Sequence, residues 1–406
     1  MELKGISKLD LKRRNRAQIL KVIKNCGPIS RVDIASSMKI TRAAVTIITN
    51  EMIEEGVLYE VGEAPVSLSN LQKGRRKILI DINENYKYIF GASVSNKRVT
   101  VGLTNLNGSV IDKACCELSA DMKAEEIFDF IVNSSKEIMQ NNDLTANKIL
   151  GMGIGIQPDM FSKLKVYLKD GKPDYSNVIQ KVSLTLGIPI TCSNLVAALA
   201  LANQNDDIKE REGNYVLLKQ GRHLNLAVLI DNEIMNENNY YTSHVENMIV
   251  NPGGRKISGY PDGSAKAELT TIAISEKIRE IFSKENTPIL WQALDGNVNN
   301  LNSKAITTAC LKGESETLNA VNSYLKCLTT LVNNLSFSFF ANSIILHEFD
   351  FDEWMFEYFK KFLVTYCSDE VAKKLKLSKC EKNLEFFGGA CVALNEQFYK
   401  QGGMTI

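Results

Sequence analysis

Apolar positions three and four residues apart over residues 16–25 put Ile19, Leu20 and Ile23 on one helical stripe. Gly27-Pro28 ends that stripe by adding a flexible residue and removing an amide donor. Ser30 and Asp33 then form an S-x-x-D start signal for a second helix over residues 31–38. The hydroxyl accepts an orphan amide and the carboxylate favours the positive end of the helix dipole. After the Lys39-Ile40 turn, Thr41 caps a third helix running to about Glu55. Its periodicity is read with Ala44, Val45, Ile48 and Met52 inward and Arg42, Thr46, Thr49 and Asn50 outward. Residues 57–62 and 78–82 predict two strands around a polar loop, whose far end carries Lys73-Gly74-Arg75-Arg76.

Three short helices followed by a β-ribbon with a cationic tip read as a winged helix-turn-helix over residues 1–82. A recognition helix needs short or hydrogen-bonding side chains near its N-terminus to reach base edges in a major groove, and Thr41, Arg42, Ala43 and Thr46 meet that need. Arg42 is the expected guanine contact. Ser30, Arg31 and Asn50 complete the helical part of the DNA-facing set, and Lys73, Arg75 and Arg76 are expected to neutralise phosphates or enter a minor groove. The alternative reading is a helical protein-interaction module with a solvated basic face.

From residue 88 the pattern changes to strands over residues 88–94, 98–105 and 109–116, with turns at Ser95-Asn96 and Asn107-Gly108. A related triplet recurs at 215–219, 224–231 and 233–236. Two such sheets, each followed by helical stretches, predict a duplicated α/β body, a class whose ligands commonly lie between domains. The length of 406 residues calls for two or three domains, and 44% apolar content suffices for them. The net charge of +1 is unevenly spread: residues 1–80 hold 15 Lys/Arg against 8 Asp/Glu, the remainder 33 against 39. A basic front on a mildly acidic body points to a polyanion partner at one end.

Nine cysteines, odd in number and without paired spacing apart from adjacent Cys115 and Cys116, form no disulfide framework and fit a reducing cytoplasm. As strand neighbours those two would face opposite sides rather than make a redox pair. Residues 1–15 lack an apolar core of signal-peptide length, and no stretch reaches the roughly 18 to 20 apolar residues of a membrane span. A cytoplasmic protein without a membrane partner is expected.

Several segments carry a family likeness across nearly the whole chain. In front they are Gly27-Pro28-Ile29-Ser30-Arg31, Ile40-Thr41-Arg42-Ala43-Ala44-Val45 and Gly74-Arg75-Arg76. In the body they are Gly151-Met152-Gly153-Ile154-Gly155-Ile156, Asn194, residues 250–254 and Gly388-Gly389-Ala390. The chain resembles the ROK family, whose repressors bear a DNA-binding module that its sugar kinases lack. The implied fold is α/β: the N-terminal winged helix-turn-helix, then an actin-like body of two ribonuclease-H-like lobes. The first lobe is expected over residues 83–195, completed by a C-terminal helix at 380–401, and the second over 196–379 with the dimerisation surface.

The likeness breaks where the kinases do chemistry. Their Asp-x-Gly-Gly-Thr phosphate turn aligns with Ser93, Ser95, Asn96 and Lys97, and of a second glycine-rich loop only Gly221 remains before Arg222, His223 and Leu224. The family's general base aligns with Leu195, which accepts no proton. The Glu-x-x-His pair that grips sugar and zinc aligns with His244 and Asn247, and the zinc-cysteine segment, residues 253–268, contains no cysteine. Asn194, His244, Asn247 and Glu268 are the expected ligand-binding residues, each with a structural reading beside it; His223 and His347 are read as structural.

The reading is therefore a repressor acting as a homodimer on an inverted-repeat DNA operator and controlled by a sugar or related metabolite. No catalytic residue, metal or cofactor is expected. A DNA-binding regulator with a sugar-blind dimerisation scaffold is the first alternative. A sugar kinase with a DNA-binding arm, which predicts ATP-dependent hexose phosphorylation, is the second.

Overall fold

The computed structural model describes residues 7–63, 76–119, 121–205, 213–230, 233–235, 242–380 and 383–404. Contacts divide the chain into two compact units, Met1–Arg211 with Asn383–Ile406, and Glu212–Lys382.

The first unit opens with α1 (Lys8–Cys26), β1 (Ile29–Ser30), α2 (Arg31–Met38), α3 (Arg42–Glu54), β2 (Leu58–Glu63) and β3 (Ile78–Ile82). Helix α1 starts eight residues before the expected Arg16. The cause is a capping box, with Ser7 Oγ accepting from the Asp10 amide at 3.1 Å and the Asp10 carboxylate reaching back to Ser7. Helices α2 and α3 have the expected bounds, capped by Ser30 and Thr41. The three strands form a small antiparallel sheet in the order β1-β3-β2.

The unit continues with β4 (Tyr88–Val94), β5 (Arg98–Thr104), β6 (Val110–Glu117), α4 (Ala124–Asn141), β7 (Ile149–Ile156), β8 (Tyr167–Lys169), β9 (Lys172–Asp174), α5 (Ser176–Leu186), β10 (Ile190–Asn194) and α6 (Leu195–Asn205). Its main sheet has the order β10-β7-β4-β5-β6. Short turns make β4, β5 and β6 antiparallel, whereas β7 and β10 return parallel after helices, the connection that parallel pairing requires.

The second unit contains β11 (Asn214–Lys219), β12 (Asn225–Ile230), β13 (Glu233–Ile234), α7 (Ala265–Leu269), α8 (Thr271–Ile281), α9 (Pro288–Ala293), α10 (Ser303–Leu311), α11 (Ser315–Ser338), β14 (Ala341–His347), α12 (Glu353–Tyr366), α13 (Asp369–Lys374) and β15 (Leu375–Leu377). Its sheet order, β13-β12-β11-β14-β15, repeats the first plan: three antiparallel strands, then two parallel ones. Tyr324, Leu328, Leu331 and Leu335 of α11 pack with Ile344 and Leu346 of β14 in the core.

Helix α14 (Phe386–Ala393) lies on β4 and β7 of the first unit and continues as a π-helical stretch, Leu394–Tyr399. Glycines set how close it comes. A Cβ on Gly153 would stand 1.9 Å from the Gly389 carbonyl oxygen, and one on Gly91 2.0 Å from that of Phe386, so these backbones meet only without side chains. Beyond the helix, Gly402 lies in the left-handed region at φ +66°, and a Cβ there would meet Arg16 Cβ at 2.7 Å.

This C-terminal segment also joins the front helices. One apolar cluster runs from Ile19, Leu20 and Ile23 through Val45 and Met52 to Ile89, Leu106, Leu394 and Phe398. At its edge Arg16, only 1% exposed, donates from Nε to the Gly402 carbonyl (2.8 Å) and from Nη1 to Glu55 Oε1 (2.8 Å). The guanidinium holds the Glu55 carboxyl below its ordinary pKa. An unpaired buried arginine would be costly; here its fork is filled.

Candidate nucleic-acid interface and the body positions

The start of α3 is fixed by Thr41 Oγ1, which accepts from the Ala44 amide at 3.2 Å. From there Arg42, Ala43, Thr46, Ile47 and Asn50 stand exposed on one face, and the Arg42 guanidinium has no ion pair among the described residues. Ile47, 62% exposed, was missing from the sequence reading. Its spacing was the available signal, since it lies four residues after Ala43 and three before Asn50.

Thr49 requires a correction. It is wholly buried, because it stands four residues after Val45 and three before Met52 and so shares their inward face. Its hydroxyl donates to the Val45 carbonyl at 2.9 Å and accepts from Arg31 Nε at 3.1 Å. Ser30 also leaves the set of contacting side chains: it is 2% exposed, caps α2 through the Asp33 amide and donates to Asp33 Oδ2 at 2.6 Å. Lys77 first, and Ser30 second, hold the Asp33 carboxyl below its usual range.

Arg31 is half-buried and occupied, its Nη2 lying 3.1 Å from Asn50 Oδ1 and 2.9 Å from Glu60 Oε1. From α2 it therefore ties Asn50 of α3 and Glu60 of β2 together. Arg76 is exposed and pairs with Glu63 at 2.9 Å, while Lys73 and Arg75 lie outside the described residues.

Asn194 ends β10 with its Oδ1 accepting from the Val196 amide at 2.9 Å, the local backbone role weighed for it from the sequence. Leu195, the position of the family's base, is fully buried at the start of α6. In the β4–β5 turn, Ser95 Oγ accepts from the Arg98 amide at 3.2 Å, and the Ser95 amide donates to the Arg98 carbonyl at 3.0 Å. That turn closes on itself. Glycine is not required at Gly221 either, where a Cβ would meet nothing nearer than the His223 carbonyl at 3.6 Å.

In the second unit, His244 and Asn247 are exposed on a 3-10 turn, Thr242–Asn247. Glu268 is not a surface ligand group: it is fully buried, accepting from Asn251 Nδ2 (3.0 Å) and the Arg255 amide (2.9 Å), with Lys277 Nζ 2.7 Å away. Burial pushes its carboxyl pKa up, but Lys277, the Arg255 amide and Asn251 outweigh burial and hold it low. The loop that would carry a zinc cluster is thus fastened from within by a carboxylate, and its residues offer no thiolate set for the metal.

Sequence reasoning also missed Glu246, which lies between His244 and Asn247. Only 1% exposed, it accepts from the Leu224 amide (2.9 Å), Lys266 (2.9 Å) and the Tyr260 hydroxyl (3.1 Å), with His223 Nδ1 at 3.3 Å. A carboxylate with so many donors organises the β11–β12 turn. No local pattern marks it, because its partners come from three separate segments, 223–224, Tyr260 and Lys266.

No protein-family model matches the chain. Among curated proteins it is similar to a putative xylose repressor of Caldicellulosiruptor sp. (strain Rt8B.4), 27% identical over 196 residues, 48% of either chain. It is also similar to the DNA-binding transcriptional dual regulator NagC of Escherichia coli (strain K12), 32% identical over 107 residues, 26% of this chain and 25% of NagC. The chain thus spans about half the length, or less, of these relatives. A solved ROK family transcriptional regulator, a homologue of the E. coli MLC protein, superposes with a TM-score of 0.72 at 15% identity, covering 97% of this chain and 98% of its own. A ROK family glucokinase from Streptomyces griseus reaches 0.56 at 16% identity, covering 76% of this chain and 99% of its own. The mixed α/β fold is shared with both. Among the described residues no helix is long and apolar enough to cross a membrane. By fold and by these relatives, the chain is similar to ROK family proteins.

Proposed function

We propose that the chain is a DNA-binding transcriptional repressor: a winged helix-turn-helix, α1 to β3, on an actin-like body of two ribonuclease-H-like lobes. The observation that carries the reading is the outward face of α3. Arg42, Ala43, Thr46 and Ile47 have no packing duty there, and together they offer a guanine-reading fork, hydroxyl and methyl groups at the depth of a major groove. Lys73, Arg75 and Arg76 extend the contact to phosphates. A homodimer would set two such helices on an inverted repeat with half-sites about 34–36 Å apart.

The body is read as enzyme-derived and without kinase activity, since Leu195 offers no base and the Ser95 turn is closed. The names of the repressor relatives support a sugar or related metabolite as effector, with His244 and Asn247 as its exposed candidate contacts. The test is anisotropy with duplexes enriched from genomic fragments, with xylose and N-acetylglucosamine added in turn. Salt-sensitive binding to a palindromic duplex is expected. Failure to retain any duplex, together with ATP-dependent sugar phosphorylation, would overturn the reading.

A further inference from the structure

Within the first unit a cavity of about 410 Å³ opens where β3, the end of the β5–β6 hairpin and α14 meet, bounded also by the end of α1 and by β2. Its size is that of a small-molecule pocket. Three aromatic side chains, Tyr59, Phe387 and Tyr399, line it together with Leu106. Its charged groups are Asp81, Glu84 and Lys24, two negative against one positive.

The three charges differ in how they are engaged. Lys24 Nζ lies 4.5 Å from the centre of the Tyr399 ring, a cation already placed over an aromatic face. Glu84 accepts a short hydrogen bond from Asn107. Asp81 accepts only from the neighbouring Ile82 amide, at 2.8 Å, and has no cationic partner among the described residues. Burial first, and the Glu84 charge after it, push its carboxyl pKa above the ordinary value, so a negative charge here lacks compensation.

We propose that this cavity binds a small organic cation with an apolar body, its ammonium group on Asp81 and its apolar part among Tyr59, Phe387 and Leu106. Such a ligand would supply the missing counter-charge, fill apolar space that water serves poorly, and place its charge beside aromatic rings. Residues from the front helices, the main sheet and α14 all line the cavity, so an occupant would bridge them. The site stands independently of the DNA reading and is tested without DNA.

Three probes of one shape and different charge decide the matter: benzylamine hydrochloride, benzyl alcohol and sodium benzoate. Each is titrated calorimetrically into the full chain at pH 7 and constant ionic strength. Benzylammonium is expected to bind about tenfold more tightly than benzoate, the size of one charge-assisted contact. Bound benzylammonium should slow hydrogen exchange over residues 81–84 and 104–108. Asp81→Asn keeps the bond to the Ile82 amide and should fold; it should cost benzylammonium about tenfold and leave benzyl alcohol unchanged. Equal binding of the cation and the anion, binding of none of the three, or indifference to Asp81→Asn would each overturn the assignment.

Discussion

Replacing Arg16 with Met tests whether the C-terminal segment holds the front helices in place. Methionine keeps the apolar stem packed but leaves the Gly402 carbonyl and the Glu55 carboxylate without their donor. A hydrogen bond to a charged group contributes about 1.5–3 kcal/mol. The Glu55 side chain is 43% exposed and recovers water, so its share is discounted, whereas the Gly402 bond is buried. The expected loss is about 2–4 kcal/mol, confined to the first unit.

Both tryptophans, Trp291 and Trp354, lie in the second unit, so fluorescence reports that unit alone. Hydrogen exchange over residues 8–26 and 386–404 should accelerate in Arg16→Met while the tryptophan transition stays in place. The pH dependence has a defined sign. Arg16 lowers the folded pKa of Glu55, so this stability is present above the ordinary value of 4.5 and is lost as pH falls through the lowered folded value. The variant should lack that slope. Opening free energies within about 0.5 kcal/mol of the parent in residues 8–26 would refute the reasoning.

Arg42→Ala should weaken operator binding by about 1–3 kcal/mol and relax preference at one base pair, read by anisotropy against single-base variants; unchanged preference removes Arg42 from the reading set. Gly153→Ala should abolish soluble expression or cost more than about 3 kcal/mol, since its Cβ would lie 1.9 Å from the Gly389 oxygen. Gly221→Ala should be neutral by the same measurements, its Cβ meeting nothing within 3.5 Å. Glu268→Gln leaves Lys277, 12% exposed, without its counter-ion and should shift the tryptophan transition by about 2–4 kcal/mol. In the parent this contribution should be full above the ordinary carboxyl value of 4.5 and fade as pH falls through the lowered folded value.

The sequence by itself determined every feature whose cause lies within a few residues. The caps at Ser30 and Thr41, the bounds of α2 and the two antiparallel triplets follow from side-chain period, turn residues and orphan amides. Two features at this range differ from expectation for local reasons: the Ser7–Asp10 capping box starts α1 earlier, and the spacing of Thr49 from Val45 and Met52 turns it inward.

Only the tertiary structure decided what depends on distant partners. Arg16 and Gly402 are 386 residues apart, and nothing local to either foretells a buried guanidinium. The expected boundary after residue 82 is crossed by one apolar cluster because α14 and its continuation return to pack under the front helices. Glu268, expected from the sequence to meet a ligand, and Glu246, which no motif marks, are instead surrounded by donors that the fold brings to them. Periodicity assigns a residue to a face; what that face meets is settled by chain segments that no short window contains.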